Sequence, residues 1–391
     1  MIKQIFILIT CLFFLTGCWS NQELDDVAMV HGVGLDQADG MLNTSVEIIR
    51  PAGQGGEQSE GQESGQHLIL TRQADTLLEG ARELIRYAKR RLSFEHTRAW
   101  VIGTRLAEDE HFIQTLDTIR RDQMLRLNSY LFVTEEDPSE VLQTETLYEN
   151  LMAIELVSGL DQISYISDYS PLRIRELYRL LEGPVPNAYL PMITIEDVGN
   201  QRITAIDGTA VINQNRMVGV MTSEESIGLN WLIDRVEGGD ISVSLGEERV
   251  ALEITDAKTN TIPIVRRNQV DAKIHVRIEG TYADNITDEL VDEQLFESVE
   301  EAVANKIESD MRTTLDLLQN EFQTDITRIG IQTHRKHPEA FQEFKDRWNE
   351  VFSEASVDIQ IDVTLTHEGL IKENINREKE RPHNNPYQFF R

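Results

Sequence analysis

Only two thiols occur in the 391 residues, Cys11 and Cys18, and both lie at the start of the chain. A thiol can act as a nucleophile, ligate a metal, pair with a second cysteine or carry a lipid, and its surroundings decide which. Lys3 precedes the apolar run Ile5 to Leu15, which has the length of a secretory h-region and is short for a bilayer span. Leu15-Thr16-Gly17-Cys18 then places small residues directly ahead of a cysteine. That pattern resembles the bacterial lipobox, where the cysteine thiol is diacylglycerated and the peptide is cut just before it. Residues 1–17 are therefore expected to be a cleaved lipoprotein signal peptide that takes Cys11 with it, leaving Cys18 as the lipid attachment residue. An uncleaved anchor helix is the alternative, but no stop-transfer charges or second apolar run follow. Each buried methylene contributes about 0.8 kcal/mol, so more than one acyl chain on Cys18 gives stable anchoring in the membrane bilayer. Trp19, beside the lipid, is suited to the headgroup level.

Beyond Cys18 the side chains capable of chemistry are dispersed. His334-Arg335-Lys336-His337 has a His-x-x-His spacing, but two cations separate the candidate ligands, which favours a surface loop ahead of a helix start at Pro338. His31-Gly32-Val33-Gly34 has Gly-x-Gly without the third glycine of a nucleotide loop and reads as a tight strand end. Glu95-His96 could be a buried polar pair or a base, with no nucleophile nearby in sequence. There is no Gly-x-Ser-x-Gly elbow and no His-Glu-x-x-His zinc helix. No catalytic residue, metal site or cofactor is expected. Residues 53–66, all Gly, Gln, Glu and Ser, form a loop too polar to bury itself and lack the Lys-Ser or Lys-Thr ending of a phosphate cradle.

Charge narrows the partners. Sixty-seven Asp and Glu face 37 Lys and Arg, a net charge of −30 that falls to −31 when Lys3 leaves with the signal peptide. Nucleic acid is thereby excluded as a main partner, because binding it needs clustered cations. Residues 281–325 hold 13 acids and 2 bases. Asp288, Glu289, Asp292, Glu293, Glu297, Glu300 and Glu301 follow helical spacing rather than that of a calcium loop. They read as a solvated helix face, with a partner-docking surface as the alternative.

The elements that must carry these residues follow from periodicity. Val27, Met29 and Val33 start an alternating strand, and Ser45 to Arg50 fits its hairpin partner. Ala74 to Leu92 has the stripe of an amphipathic helix, with Arg86, Lys89, Arg90 and Arg91 at its far end. Strands at Arg98–Thr104 and Ser129–Val133 flank a helix carrying Phe112, Leu116 and Ile119, so a βαβ unit is expected over residues 68–145, with strand direction left open. Asp137-Pro138 opens another helix, and Ser170-Pro171 one that ends at Gly183-Pro184. Pro184, Pro186 and Pro191 mark an extended connector and the candidate boundary. Beyond it come a hairpin over Ile203–Met221, a helix capped by Thr222 and Glu225, and a mostly antiparallel sheet to Tyr282. A long helix over Thr287–Phe322, a shorter one over Pro338–Phe352 and a strand over Val357–Leu365 complete the pattern. The expected fold class is α+β, with several subdomains of mixed and antiparallel sheets packed by helices. Its expected organisation is an N-terminal α/β domain over 18–196, a C-terminal α+β domain over 197–370 and a polar tail over 371–391.

Three stretches carry a resemblance. The first is Gly17-Cys18-Trp19 with Glu23-Leu24 and Gly32-Val33-Gly34-Leu35-Asp36. The second is Leu92-Ser93-Phe94-Glu95-His96 with Ile102-Gly103, Leu116-Asp117 and Arg120-Arg121. The third starts at Gly208-Thr209-Ala210-Val211, passes Met217-Val218-Gly219 and Gly228-Leu229-Asn230-Trp231-Leu232, and ends with Ile329-Gly330, His334 to Pro338, Trp348 and Phe352. In order and spacing the chain resembles the Ger(x)C, or GerAC-type, lipoproteins, the C subunits of nutrient germinant receptors in endospore-forming bacteria. Asp325 to Gly330 keeps the family's leading Asp and final Gly but has Thr327 and Arg328 where Phe and Gly are expected. Thr71 to Thr76 lacks the expected Ser-Gly-Glu-Thr.

The resemblance implies a non-enzymatic assembly subunit required for spore germination. It would be tethered by the Cys18 lipid to the outer face of the cell membrane or spore inner membrane, beside the integral membrane A and B subunits. Two rivals are a substrate-binding lipoprotein of an uptake system, which wants two doubly wound lobes about a cleft, and an extracytoplasmic hydrolase, which wants a catalytic constellation.

Overall fold

The computed structural model describes residues 26–49, 67–121, 125–160, 162, 167–246, 248–267, 269–285 and 293–366. The expected signal peptide over 1–17, Cys18, the 53–66 loop and the polar tail lie outside them.

Strand β1 (Val27–Ala38) turns through Asp39-Gly40, both at positive φ, into β2 (Met41–Ile49). Its alternation changes parity at a register shift between Val30 and Gly32. Ala28 and Val30 point inward before the shift, and Val33 and Leu35 after it. Met29, expected to share a face with Val33, is therefore only half-buried. Strand β3 (His67–Ala74) pairs antiparallel with β2 and leads into α1 (Leu77–Ala88). This helix is shorter than its apolar stripe suggested, because Lys89 adopts the left-handed conformation and Arg91–Ser93 forms a strand, β4, parallel to β1.

Next come β5 (Ala99–Gly103), α2 (Thr104–Ala107), α3 (Phe112–Arg121) and β6 (Tyr130–Thr134). Strands β5 and β6 are parallel, which resolves the direction that sequence left open and makes β5–α3–β6 a βαβ unit. All five residues of β5 are buried, as a strand covered on both faces requires. Trp100, Ile102, Leu131 and Val133 enter the main core, whereas Ala99, Val101 and Phe132 pack under α4 (Pro138–Gln143) and α5 (Met152–Leu160). Helix α6 (Ile174–Leu181) then leads to the segment expected as a connector.

That segment is β7 (Asn187–Val198), which pairs parallel with β6 and antiparallel with β8 (Gln201–Asn213), and β8 pairs with β9 (Arg216–Met221). One sheet of order β3-β2-β1-β5-β6-β7-β8-β9, with β4 beside β1, therefore continues across residue 196. Pro191 is tolerated because it lies at a register shift. Thr222 and Glu225 form the expected capping box of α7 (Ser223–Leu232).

A second sheet has the order β10 (Asp240–Leu245), β11 (Glu248–Val265), β12 (Val270–Asn285), β13 (Val357–Thr366). The pairs up to β12 are antiparallel, while β13 lies parallel to β12 after the helical crossover. The crossover begins with α8 (Glu293–Asp316), whose buried stripe Val299, Val303, Ile307, Met311 and Leu315 is continued by Leu318 in a π turn. Helices α9 (Ile329–Lys336), α10 (Pro338–Phe344) and α11 (Trp348–Ser353) follow. Gly228 of α7 faces Thr314 and the Asp310 carbonyl so closely that a β-carbon would overlap both. One buried cluster extends from Ala28 to Ile359 and joins the two sheets, giving a mixed α+β architecture.

Candidate functional site

The sequence candidates for chemistry do not converge. His31 and His96 lie with ring centroids 6.1 Å apart, and burial, then His96 and Arg98, push the His31 imidazolium below its ordinary range. Glu95 and His96 are both exposed, so they are not a buried pair. His334 lies in α9 rather than a loop, with its ring edge-on to Phe341 at 5.2 Å, while exposed His337 sits at the α9–α10 junction. The helix extends to Lys336 because Thr333 and His334 pack inward. Among the described residues no group of three or more His, Cys, Asp or Glu is placed to hold a metal ion. On α8, Glu297 and Glu301 are exposed, but Glu300 accepts the Leu365 backbone N–H of β13 at 2.8 Å.

What the motif residues do build is a buried joint between the two sheets. Asp325 is fully enclosed. One of its carboxylate oxygens accepts the backbone N–H and hydroxyl of Thr327, at 2.9 and 2.8 Å. The other accepts the Gly330 N–H at 2.7 Å and the Trp348 indole N–H at 2.8 Å. Burial pushes this carboxyl up, and its four donors oppose that shift. Gly330 is obligatory because a β-carbon there would run into the Trp348 ring and Val185. From the first sheet, Asn187 donates to the Asp325 carbonyl at 3.2 Å and to Asn349 at 2.9 Å, and Asn213 donates to Thr324 at 3.0 Å. Asp325, Gly330 and Trp348 therefore lock α9 to α11 and hold that unit against the β7–β8 hairpin.

A second arrangement explains the Gly32 to Asp36 and Ile102-Gly103 motifs. Asp36 pairs with Arg105 and accepts the Leu106 N–H at 3.3 Å, with Gly103 leaving space for its carboxylate. A third has no local sequence signal. Fully buried Glu47 of β2 accepts the N–H groups of Met152 and Ala153 at 2.7 and 3.0 Å, capping α5 across more than 100 residues of chain. Burial pushes the Glu47 carboxyl up to about 7, against the lowering effect of the two N–H bonds. Gly32 leaves space beside it. These acids position backbone and helices.

Comparison with known proteins gives the arrangement its context. Residues 20–195 match the family described as the spore germination protein N-terminal domain, and residues 207–369 match the spore germination B3/GerAC-like C-terminal family. The chain belongs to the spore germination GerAC family. Among GerAC relatives, spore germination protein B3 of Bacillus subtilis (strain 168) is 23% identical, over 92% of this chain and 96% of the relative. Spore germination protein KC of the same organism is 23% identical, over 91% and 93%. In the solved structures the fold is matched by the GerBC protein, with a TM-score of 0.60, 18% identity, and coverage of 86% of this chain and 97% of that one.

Proposed function

We propose that this chain is the lipid-anchored C subunit of a spore nutrient germinant receptor, a non-enzymatic subunit that works through contacts with integral membrane A and B subunits. The observation that carries the proposal is the match of both GerAC families, in order, from residue 20 to residue 369. In this reading Cys18 bears the lipid and fixes the protein to the outer face of the cell membrane or spore inner membrane. Among the described residues no helix is long and apolar enough to cross a membrane, so a tether at Cys18 supplies the attachment. Confinement to the membrane raises the effective concentration of the subunit beside its partners, and assembly then needs only modest contacts. The domain organisation that goes with it is a signal peptide over 1–17, receptor domains over 18–196 and 197–370 bridged by the common sheet and the Asp325 joint, and a tail over 371–391.

The decisive experiment replaces Cys18 with Ala in a sporulating host. Loss of acyl-chain incorporation and impaired nutrient-triggered germination are expected. Normal germination together with lost uptake of a solute would instead support a substrate-binding lipoprotein.

A further inference from the structure

The chain enters its fold at a particular end of the first sheet. Val27 is the first residue of β1, and nine residue steps separate it from Cys18, a stretch that spans at most about 30 Å. Val27 pairs with Arg91 of the adjacent parallel β4. Four residues along β1, the His31 carbonyl accepts the N–H of Arg98, which immediately precedes β5. The Arg98 carbonyl in turn accepts the N–H of Tyr130, the first residue of β6, and the Leu127 carbonyl accepts the N–H of Arg175 in α6. These bonds bring Arg98 and Arg175 to the N-terminal ends of β5 and β6, with Arg126 in the turn whose carbonyl accepts the Ser129 N–H, while Arg91 lies level with Val27, about 13 Å nearer the entry of the chain along β1.

All four arginines are exposed, and none is in an ion pair with a described residue. Among them Leu127 is 36% exposed, and at the same end the last residue of β2, Ile49, is also 36% exposed. The described acids of this end are Asp26, Glu95 and Glu176, the last in the first turn of α6 beside Arg175. In a chain with 67 acids and 37 bases, the four arginines outnumber the three acids among the described residues of this end and flank exposed aliphatic side chains, a local reversal of charge.

We infer that this end of the sheet, presenting Arg91, Arg98, Arg126, Arg175, Ile49 and Leu127, rests on the anionic lipid headgroups of the bilayer and sets the orientation of the tethered protein. The inference depends on the reading that Cys18 is the anchor. Guanidinium groups bind phosphate bidentately, and aliphatic side chains between them suit the boundary of headgroups and acyl chains. The net negative charge of the remainder repels an anionic surface, so one basic end selects one orientation.

The test separates orientation from anchoring. A mature chain with Cys18→Ala has no thiol, so it can carry a single fluorophore at Asn128→Cys, beside Leu127, or at Glu135→Cys, beyond the opposite end of β6. Each chain is held by an N-terminal hexahistidine tag on vesicles with nickel-chelating lipid and a headgroup-linked energy-transfer acceptor. Vesicles of phosphatidylcholine with phosphatidylglycerol are compared with phosphatidylcholine alone. On anionic vesicles transfer from position 128 should exceed that from 135 by roughly twofold or more, and the excess should vanish in 1 M salt, on neutral vesicles, and when the four arginines become Gln. Equal transfer from both positions overturns the inference, as does an excess indifferent to salt and lipid charge. So does an excess that appears only with the membrane subunits present, because the face would then dock protein. Flotation of the natively acylated chain against its Cys18→Ala form reports on anchoring alone, so either reading can fail without the other.

Discussion

The indole N–H of Trp348 donates to the carboxylate of Asp325 at 2.8 Å, the same oxygen that holds the N–H of Gly330 at 2.7 Å. Two helices, α9 and α11, therefore meet on one buried carboxylate, and the strand ends bond the backbone carbonyl of Asp325 through Asn187 and the hydroxyl of Thr324 through Asn213. Removing that acid leaves four enclosed donors without an acceptor. Asp325→Ala should cost about 3 kcal/mol or more of unfolding free energy, and Trp348→Phe, which removes one donor and keeps most of the ring, about 1–2 kcal/mol. Urea unfolding of the purified mature chain followed by tryptophan fluorescence, with circular dichroism for Trp348→Phe, measures both. A smaller loss for Asp325→Ala than for Trp348→Phe would contradict this account of the joint.

Within the same loop Arg328 has a φ of 70°, the left-handed region, although it is not glycine. A glycine is expected at this position from the resemblance to GerAC proteins, and the backbone shows why: the conformation is free for glycine and strained for arginine. Arg328 is half-exposed and makes no ion pair with a described residue, so little is lost with its side chain. Arg328→Gly should raise stability by about 1 kcal/mol, visible as a higher midpoint in thermal or urea unfolding. Thr327, the other departure in this segment, supplies two of the four donors to Asp325, so Thr327→Val should destabilise the chain in which Arg328→Gly stabilises it.

Glu47 makes part of the stability depend on pH. Its folded-state pKa of about 7 lies above the ordinary 4.5 of an unfolded chain. Between those values the folded protein binds a proton that the unfolded chain has released. The contribution is present in full below about pH 4.5, is lost as pH rises through 7, and amounts to about 3 kcal/mol across the interval. Glu47→Gln cannot titrate, so the difference in unfolding free energy between it and the parent should change with pH in that window and level off above it. A difference independent of pH from 4.5 to 8 would show that the buried carboxyl is not raised.

Local patterns in the sequence located most elements because their causes are local. The Thr222–Glu225 capping box, Asp137 ahead of Pro138, and the apolar alternation of β12 each act within a few residues. The apolar stripe runs past the end of the first helix because Leu92 keeps helical phase while belonging to β4; the left-handed Lys89 ends the helix. Parallel pairing of β5 with β6, and the place of β7 between β6 and β8, depend on partners far along the chain and leave no periodic trace. The same holds for the buried acids. Glu47 looks like any polar residue of a strand until Met152 and Ala153 arrive, and Asp325 belonged by sequence to an acidic stretch when its task is to be enclosed. The family resemblance marked Gly330 and Trp348 without giving the reason for them.

Gly228 sets packing against propensity, so the sign of one substitution distinguishes them. It lies within α7, where intrinsic preference favours alanine over glycine by about 1 kcal/mol. Its neighbour across the interface is α8, with Thr314 donating to the Glu225 carbonyl at 2.6 Å and the Asp310 carbonyl opposite. A methyl group at 228 would overlap both, and neither can yield easily, because one is backbone and the other is a buried hydroxyl held by Glu225 and Asp310. Overpacking of this kind costs about 1–3 kcal/mol, more than the propensity gain. Gly228→Ala should therefore destabilise the mature chain, and shortening Thr314 to alanine should relieve part of the cost, giving a coupling of about 0.5–1 kcal/mol in a double-mutant cycle. If Gly228→Ala raised the urea midpoint, the close approach of α7 and α8 would be wrong. A destabilisation without coupling to Thr314 would leave the Asp310 carbonyl as the obstacle.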